Sequence, residues 1–546
     1  MYYSGLFGVD SSKLLLFSIV SYFIYVHLLK PLLHYIYIVI HYHGFHYRPK
    51  SFLLGHLKQI WPNFPFPIDT ERRTRNIYEL TDKIFELNPS RSLTVLWISL
   101  FPIIFASDSE TVEKPHFYQF MGLGNGLLSS APALWKVRRK LIEPFFSTRK
   151  MRDHAKHMFK EVESFSRQLD DQVGKPVDLV NQIHSSTLNI ILKSATSTSL
   201  DDSFDDKKRF LELIESLEKN CVRRLSNPFY QLDWTFKLFK FSQFYHQTIQ
   251  DIEKFINTIL SRRKQQLQCS TSNEPENQDF VDLLEGKVDE QGLLDELVTL
   301  IGAGHDTTAL TLRWILFNLG KSNHLDEQEK LYQEIIQFFP DDTPLGDMDK
   351  INQCIYLEQC IKESLRLNPP AHITLRALEE DIIVKDKRLI KGSIVCVSFT
   401  ATHHDPNVYP NPDKYDPERW NPENASKIPK TAFIPFSHGP RSCIGYRYAM
   451  LELKIYTIQI IRKFSLRSTR KHGSIPLKAE VTLKPVLPLE IIMTARNNNQ
   501  PELPASSIFW ICHQLLLKHI LIGNEESKYN NKMLQQLAAC TGSVLV

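Results

Sequence analysis

The stretch FSHGPRSCIGYRYAM, residues 436–450, sets one cysteine between Arg441 and Gly445 and ends in the start of a helical pattern. Gly439 and Gly445 permit a tight turn that brings the backbone close to a flat ligand. A helix start, with its free backbone N–H groups, lowers the pKa of a thiol and so favours a thiolate at Cys443. Arg441 can hold an anionic group with its planar fork of donors. The stretch therefore predicts a metal-ligating thiolate beside an anion-binding arginine.

The composition predicts a large folded protein. The chain has 546 residues, of which 42% are hydrophobic and 11% aromatic, enough for a sizeable core. Its 65 basic and 61 acidic residues give a net charge of +4, which does not suit a nucleic-acid-binding protein. The eight cysteines show no CxxC pattern and no short disulfide-like spacing, a usage typical of a reducing compartment.

An apolar run lies near the N-terminus. LLLFSIVSYFIYVHLL spans residues 14–29, a Lys-Pro pair interrupts it, and LLHYIYIVI continues through residue 40. Its length favours one membrane anchor within residues 1–44 over a cleaved signal peptide; the alternative is a buried N-terminal helix of the fold. More basic residues follow the run than precede it, so the positive-inside tendency predicts a cytosolic body.

Helical periodicity dominates the chain past residue 50. Amphipathic runs predict helices near 150–172, 176–197, 205–225, 243–268, 293–320, 325–338 and 350–367. Strand-like segments occur at 93–106, 381–399 and 481–494. The fold class is therefore mainly α with small β-sheets, in one large domain over residues 45–496. The segment NNNQPELPASS is typical of a linker, and residues 497–546 form a C-terminal extension of unassigned role.

The helix predicted at 293–320 carries the polar segment GAGHDTT in its apolar middle. Glycine costs about 1 kcal/mol in a helix interior relative to alanine, and a buried acid needs a partner. A cofactor plane lying against Gly302 and Gly304 would explain these residues, as would a tight helix crossing with a capped polar pair. A threonine hydroxyl that bonds to the preceding turn is expected to open a gap in the helical ladder here.

Three further segments carry charges at helical or turn spacing. KESLRLNPP places Glu363 and Arg366 three residues apart on one helix face, YDPERW carries Arg419 in a turn, and LWKVRRK sets Trp135 and Arg139 one turn apart. Each is weak by itself, because most such pairs are solvated surface contacts. Their interpretation depends on the other motifs in the chain.

Together these segments resemble the cytochrome P450 monooxygenases. Phe436, Gly439, Arg441, Cys443 and Gly445 are spaced as in the family's haem-binding signature, F-x-x-G-x-R-x-C-x-G. AGHDTT is similar to the oxygen-activation segment, ESLR to the Glu-x-x-Arg pair, PERW to the motif that completes that pair, and WKVRR to the Trp-x-x-x-Arg helix. The motifs follow in the family's order over about residues 45–496, so the resemblance implies the cytochrome P450 fold.

The resemblance also implies a role for each matching residue. The cofactor would be haem b, iron protoporphyrin IX, with Cys443 as the metal ligand and Phe436 packed near its sulfur. Asp306 and Thr307 would relay protons during oxygen activation. The other cofactor-binding residues would meet the haem propionates, border the distal pocket or shape the cysteine loop: Trp135, Arg139, Arg376, Arg441, Ala303, Gly304, Gly439 and Gly445. Glu363, Arg366 and Arg419 would form a buried structural ion-pair network.

The implied reaction inserts one oxygen atom of O2 into a lipophilic substrate, with electrons from NADPH. The partners would be NADPH-cytochrome P450 reductase and cytochrome b5, at the endoplasmic reticulum membrane, as in the microsomal eukaryotic branch. Basic residues near the haem would form the reductase docking face, or else an ordinary solvated face. They are Lys136, Arg138, Lys140 and Arg447.

The substrate prediction rests on the aromatic-rich segment NPFYQLDWTFKLFKFSQFY, residues 227–245, which resembles the family's access and membrane-contacting region. It favours a lipophilic substrate that enters from the bilayer; the alternative is that the rings are core residues. The general similarity is to eukaryotic, fungal hydroxylases of fatty-acid-like molecules. Other functions compatible with the motifs are a haem-thiolate isomerase or dehydratase, a hydroxylase of aromatic or amino-acid-derived secondary metabolites, and a haem carrier. The stretch between Ser107 and Trp135 is shorter than is usual in the family.

Overall fold

The structure is a computed structural model that describes residues 94–98, 101–106, 118, 121–198, 204–225, 227, 230, 233–269, 278–340, 343–384, 387–470 and 475–496. The chain divides into two units, Met1–Arg496 and Asn497–Val546, and every described residue belongs to the first. The anchor predicted at 1–44 and the extension at 497–546 lie outside the described residues. Within the described ranges, no helix combines the length and the apolar character that crossing a bilayer requires.

The described part is mainly helical, which confirms the predicted fold class. The helices are α1 (Pro132–Ile142), α2 (Thr148–Gln168), α3 (Val180–Thr196), α4 (Phe204–Leu225), α5 (Asp233–Phe236), α6 (Lys240–Cys269), α7 (Phe280–Leu284), α8 (Glu290–Leu319), α9 (Leu325–Phe338), α10 (Met348–Gln353), α11 (Ile355–Leu367), α12 (Phe399–His403), α13 (Pro422–Ala425) and α14 (Tyr446–Lys463). A short 3₁₀ helix, Pro417–Trp420, carries the PERW segment.

The strands form four small sheets. They are β1 (Thr94–Ile98), β2 (Phe101–Ala106), β3 (Pro176–Val177), β4 (Ile373–Ala377), β5 (Ile382–Val384), β6 (Lys387–Leu389), β7 (Ile394–Ser398), β8 (Phe464–Ser468), β9 (Leu477–Ala479), β10 (Leu483–Pro485) and β11 (Ile491–Ala495). The largest sheet has the order β1-β2-β7-β4, in which only β2 and β7 are parallel. The others are β3-β11-β8, β9-β10 and β5-β6.

Helix α8 is the element around which the other helices pack. Asp289 caps its start by accepting the Gly292 N–H over 3.0 Å, and the helix then runs for 30 residues without a break. It packs against α3, α14 and α11, and most of its side chains are buried. At its end, a Cβ on Gly320 would lie 3.0 Å from the backbone nitrogen of Ser468, so a glycine lets β8 approach closely.

The sequence pattern located most helices but missed two kinds of feature. Strands β4 and β8 were not predicted, because they pair with residues far away in the chain. The helix predicted at 350–367 is interrupted at Cys354, whose ψ of 87° is not helical. The Glu334 carboxylate accepts the backbone N–H groups of Tyr356 and Leu357 over 2.7 and 2.8 Å. A side chain from α9 thus caps a second helix start, which explains the break.

Candidate active site

Cys443 lies in a loop of tight turns that precedes α14. Its backbone N–H donates to the carbonyl of Phe436 over 2.8 Å, and the Ser442 N–H donates to the carbonyl of Gly439 over 3.0 Å. Gly439 has φ +80°, which other residues adopt only with strain. At Gly445 the backbone is ordinary, and a Cβ would lie 3.9 Å from the Cys443 sulfur. The loop therefore needs a glycine at 439, whereas the glycine at 445 leaves room beside the sulfur.

Cys443 differs from the other cysteines whose side chains the structure describes. It is exposed, whereas Cys221, Cys354, Cys360 and Cys396 are buried. Burial raises the pKa of the Cys221 and Cys354 thiols to about 12, and it also raises those of Cys360 and Cys396. Since only a thiolate ligates a metal well, these four thiols are poor ligands. Among the described thiols, Cys443 alone has the exposure that a ligand needs.

Three arginines from different elements surround this loop. Arg139 of α1 donates from Nη1 to the Ser442 carbonyl over 2.7 Å. The Arg441 guanidinium carbon lies 4.4 Å from the centre of the Trp135 ring, and its Nη2 donates to the Ser130 carbonyl over 3.2 Å. Arg376 of β4 lies 3.5 Å from the Ser437 hydroxyl. The structure thus brings together all four residues predicted to meet the haem propionates.

The charges of this cluster fit a bound dianion. Arg376 is buried, and among the described residues its partners are the hydroxyls of Thr374 and Ser437 and the Leu375 carbonyl, with no carboxylate. A buried guanidinium without an opposite charge is costly. The hydroxyl of Ser130 is also buried and has no partner within the described ranges. Two propionate groups would satisfy both requirements, so the residues present fit haem.

Helix α8 presents one open stripe in its otherwise buried middle. Ala303 is exposed, while Leu300 and Thr307, at helical spacing from it, are half-buried. A Cβ on Gly302 would meet nothing within 4 Å, whereas one on Gly304 would lie 3.1 Å from Ile191 of α3. The glycine at 304 thus serves the tight helix crossing that the sequence left open. The stripe has the shape expected of a wall beside a flat cofactor.

The predicted gap in the helical ladder is wrong. Thr307 donates to the Ala303 carbonyl over 2.9 Å and Thr308 to the Gly304 carbonyl over 2.9 Å, yet α8 stays continuous. These bonds to the preceding turn use the second lone pair of each carbonyl and do not displace the backbone donor. The hydroxyl of Thr307 therefore stays on the open stripe without disturbing the helix.

Asp306 is buried and faces away from this stripe. Its Oδ2 accepts from the Thr482 hydroxyl over 2.9 Å, and its Oδ1 lies 3.8 Å from both His184 Nδ1 and Lys484 Nζ. Burial alone would raise the pKa of this carboxyl, but the charge of Lys484 and the hydrogen bond from Thr482 hold the pKa well below its usual range. Asp306 is thus an ionised carboxylate, and its partners could not be predicted from the sequence.

The Glu363–Arg366 pair is fully buried and forms the predicted network. Arg366 Nη2 donates to Glu363 Oε1 and its Nε to Oε2, both over 2.9 Å, and Arg419 Nε lies 3.4 Å from Glu363 Oε1. Two members escaped the sequence prediction. Trp420 Nε1 donates to Glu363 Oε2 over 3.0 Å. His403 receives an Arg366 bond at its carbonyl and accepts the Ile434 N–H at Nε2, both over 3.0 Å.

His403 links this network to the cysteine loop. Because its Nε2 accepts a hydrogen bond, the ring is neutral, and burial lowers its pKa well below the ordinary value. Ile434 lies two residues before Phe436, whose ring stacks edge-on against Tyr446 at 4.7 Å. The buried ion pair therefore supports the backbone from which Cys443 projects.

The aromatic segment and the basic residues predicted to lie at the surface are each partly exposed and partly buried. Of the aromatic segment 227–245, Tyr230, Phe236, Phe241 and Tyr245 are buried against one another, whereas Trp234, Phe239 and Phe244 are exposed. Part of the segment is therefore core, and Phe229 lies outside the described residues. Of the basic set, Lys136, Lys140 and Arg447 are exposed. Arg138 is wrongly placed on that surface: it is buried, bonded to the Gly292 carbonyl and 3.7 Å from the Glu296 carboxylate.

The comparisons with known proteins agree with this arrangement. The model of the family "Cytochrome P450" matches residues 98–493. The solved structure "Crystal structure of cytochrome P450DA heme domain" superposes with a TM-score of 0.68 at 21% identity, covering 82% of this chain and 96% of that one. At that identity the likeness shows the fold, which is the cytochrome P450 fold.

Curated relatives extend the match. "Cytochrome P450 4F6" of Rattus norvegicus is 31% identical, covering 69% of this chain and 75% of the relative. "Cytochrome P450 4c21" of Blattella germanica is 28% identical, covering 71% and 81%. "Leukotriene-B4 omega-hydroxylase 3" of Mus musculus is 29% identical, covering 81% and 88%. A fungal source stays a prediction. With the family model spanning the cysteine loop, the arginine cluster and α8, the chain belongs to the cytochrome P450 family, as a haem-dependent monooxygenase.

Proposed function

We propose that this chain hydroxylates medium to long fatty acids or comparable lipophilic molecules, with electrons from NADPH through a reductase. The observation that carries the proposal is the relative named a leukotriene-B4 omega-hydroxylase, which matches 81% of this chain. The name states an oxidation of a lipid, and the match includes the region of the open stripe on α8. Exposed apolar side chains near α5 add support: Trp234, Leu238, Phe239 and Phe244.

Each residue of the site has a task in this proposal. Haem, when bound, supplies the redox chemistry that activates dioxygen. Cys443 would provide the thiolate ligand, and Arg139, Arg376 and Arg441 would hold the propionates. On α8, Ala303 would leave room for the substrate chain, and the Thr307 hydroxyl would hold a proton at the reacting centre.

The proposal has a direct test in the spin state of the iron. An apolar ligand that displaces a water from the distal side of ferric haem shifts the spectrum toward high spin. The full chain, purified with haem in detergent, would be titrated with saturated fatty acids of increasing length, and with small dicarboxylic acids as a matched polar control. Saturable shifts with the fatty acids alone are expected. No shift across the lipid panel, with a shift for a hydrophilic aromatic, would favour secondary metabolites instead.

Turnover distinguishes the remaining alternatives. A monooxygenase consumes NADPH and oxygen in step with product, so removing oxygen should stop the reaction. A haem-thiolate isomerase or dehydratase would turn over a pre-oxidised substrate without either. A haem carrier would do neither. The side of α8 that Thr307 occupies supports the first, since an isomerase or dehydratase acting on a pre-oxidised substrate has less need of a proton donor there.

The proposed partners are NADPH-cytochrome P450 reductase and cytochrome b5, at the endoplasmic reticulum membrane. The exposed cations Lys136, Lys140 and Arg447 could meet an acidic partner, while the buried Arg138 could not. Replacing Lys140 by glutamate should slow reductase-dependent reduction and weaken its salt dependence. The anchor within 1–44 is tested by deleting those residues and following the protein between membrane and soluble fractions.

A further inference from the structure

A buried charge cluster joins three elements beside Asp306. Lys484 of β10 is ion-paired with Glu218 of α4, and its Nζ lies 3.8 Å from Asp306 Oδ1 and 3.4 Å from Glu480 Oε2. All three carboxylates are less than 10% exposed. The hydroxyl of Thr482 holds the other oxygen of Asp306. One ammonium thus faces three acids that come from α8, α4 and the β9–β10 hairpin.

The charges in this cluster do not cancel. Asp306, Glu218 and Glu480 can carry three negative charges, whereas the cations paired with them in the described part of the chain are Lys484 and Lys478, which lies 3.2 Å from Glu480. One acid is therefore better neutral. Burial and the charge of Asp306 raise the pKa of Glu218 to about 8, although Lys484 opposes the rise. Asp306 keeps its charge because Lys484 and Thr482 both face it.

The neighbouring imidazoles do not supply the compensating charge. Burial lowers the pKa of His184 to about 3 and lowers that of His305 as well, so both rings are neutral. Their nitrogens and an Asp306 oxygen lie within 4.8 Å of one another, as metal ligands do. However, Lys484 already faces that oxygen, and a divalent cation would be repelled by it. Among the described residues, the other cation that acts on His184 is Arg313, which pairs with Asp178.

The geometry matters for catalysis because Asp306 and Thr307 are adjacent on α8 yet face different ways. Thr307 borders the open stripe, whereas both carboxylate oxygens of Asp306 are engaged with Thr482 and Lys484 on the hairpin. To relay a proton, the Asp306 carboxylate must turn away from Lys484, take up a proton from solvent and pass it toward the stripe. The strength of the Lys484 contact thus limits how often that happens.

We propose that Lys484 is a positioning residue that holds Asp306 toward the β9–β10 hairpin and thereby controls proton delivery at Thr307. The proposal rests on the monooxygenase function proposed above. Glu218 pairs with the same ammonium from α4, and because its pKa is raised to about 8, its charge draws Lys484 away from Asp306 only above about pH 8.

The test compares Lys484→Met with Lys484→Arg, and with Lys219→Met as the control. Lys219 neighbours Glu218 on α4 but pairs with the half-exposed Glu215. An opposite charge at this distance lowers a carboxyl pKa by about 1 to 3 units. The measured quantity is the fraction of consumed NADPH that yields product, followed against pH. In Lys484→Met, the acid limb of this profile should therefore lie about 1 to 3 pH units higher than in the wild type. The substitution should change kcat and leave KM unchanged. Arginine should restore the profile, and Lys219→Met should match the wild type.

Glu218→Gln supplies the second half of the test. Glutamine cannot ionise, so below about pH 8 it should match the neutral Glu218 and leave the acid limb in its wild-type position. Above that pH it removes the competing charge and strengthens the hold of Lys484 on Asp306, so kcat should fall there. A merely structural role would reduce activity in both variants without moving the limb. An unmoved limb in a folded, haem-loaded Lys484→Met protein would overturn the proposal.

A measurement without turnover separates this inference from the function it rests on. The melting temperatures of the wild type, Asp306→Asn, Lys484→Met and the double variant would be followed from pH 3 to pH 8. Coupling between the two substitutions should be full near pH 7 and should decrease as the pH falls below the ordinary carboxyl range toward the lowered pKa of Asp306. Coupling without product formation would refute only the proposed reaction; additive effects at every pH would refute the Lys484 proposal.

Discussion

Arg139 Nη1 lies 2.7 Å from the carbonyl oxygen of Ser442, the residue before Cys443, although 303 positions separate the two in the chain. The bond ties α1 to the loop that projects the thiol. The same guanidinium is one of three, with those of Arg376 and Arg441, that lie around this loop. One side chain thus serves the ligand loop and the anion site together.

Replacing Arg139 by leucine should weaken haem retention. A hydrogen bond to a charged group contributes about 1.5–3 kcal/mol, which corresponds to a loss of roughly ten- to a hundredfold in affinity. The ratio of haem to protein after gel filtration would measure it. Lys136→Leu removes an exposed cation from the same helix and should retain haem fully. Equal retention in both variants would remove Arg139 from the binding site.

Cys443→Ser should abolish the red-shifted Soret band that the reduced protein gives with carbon monoxide, because an alcohol does not replace a thiolate ligand. Cys354→Ser is the matched control, because that thiol is buried and its pKa, raised to about 12, makes it a poor metal ligand. It should keep the band. Loss of the band in a folded Cys354→Ser protein would contradict the assignment of Cys443.

The local features of this fold could be predicted from sequence, since they depend on neighbouring residues. The periodicity of α8 and the spacing from Phe436 to Gly445 are visible in the printed chain, and so is the helical spacing of Glu363 and Arg366. The strand β4 could not be recognised, because it owes its stability to pairing with β7.

The side-chain partners were hidden for the same reason. Nothing near Asp306 in sequence points to Lys484, which lies 178 residues later in a short hairpin. His403 joins the Glu363 network through its backbone carbonyl, and Trp420 joins it through its indole N–H. Such groups are common in any chain, so the sequence does not single these two out. Arg138 was predicted to be exposed because a run of charges on a helix is usually solvated. Its acidic partner, Glu296, lies on α8, far from Arg138 in the sequence.

Arg366→Leu should destabilise the protein severely. Removing one member of a buried ion pair leaves an uncompensated charge and costs about 3–5 kcal/mol, and here the pair is inaccessible to solvent on both sides. Urea unfolding followed by tryptophan fluorescence would give the midpoint. Lys156→Leu breaks an exposed pair with Asp153 and should cost less than about 1 kcal/mol. Similar urea midpoints for the two variants would contradict a structural role for the network.

Glu296 should make stability fall as the pH rises toward neutrality. Burial raises its pKa from 4.5 to about 7, against the Leu127 N–H bond and the charge of Arg138. The group is neutral in the folded protein but ionised in the unfolded chain between these values, so up to about 3 kcal/mol present below pH 4.5 is lost by pH 7. Glu296→Gln lacks this loss. The melting temperature of that variant relative to the wild type should therefore increase from pH 5 to pH 8; a constant difference would contradict the raised pKa.

Thr307→Ala should separate oxygen consumption from product formation. The threonines at 307 and 308 both donate to the carbonyl four residues earlier over 2.9 Å, but Thr307 borders the open stripe, whereas Thr308 is buried. Removing the hydroxyl of Thr307 takes a proton donor from the reacting centre, so NADPH should still be consumed while hydrogen peroxide replaces product. Thr307→Ser restores the hydroxyl and should restore coupling. Thr308→Ala loses an equivalent bond on the wrong side of the helix, so its peroxide yield should equal that of the wild type. Because the two alanine variants change α8 alike, peroxide from both would indicate a distorted helix, and peroxide from neither would exclude Thr307 from proton delivery.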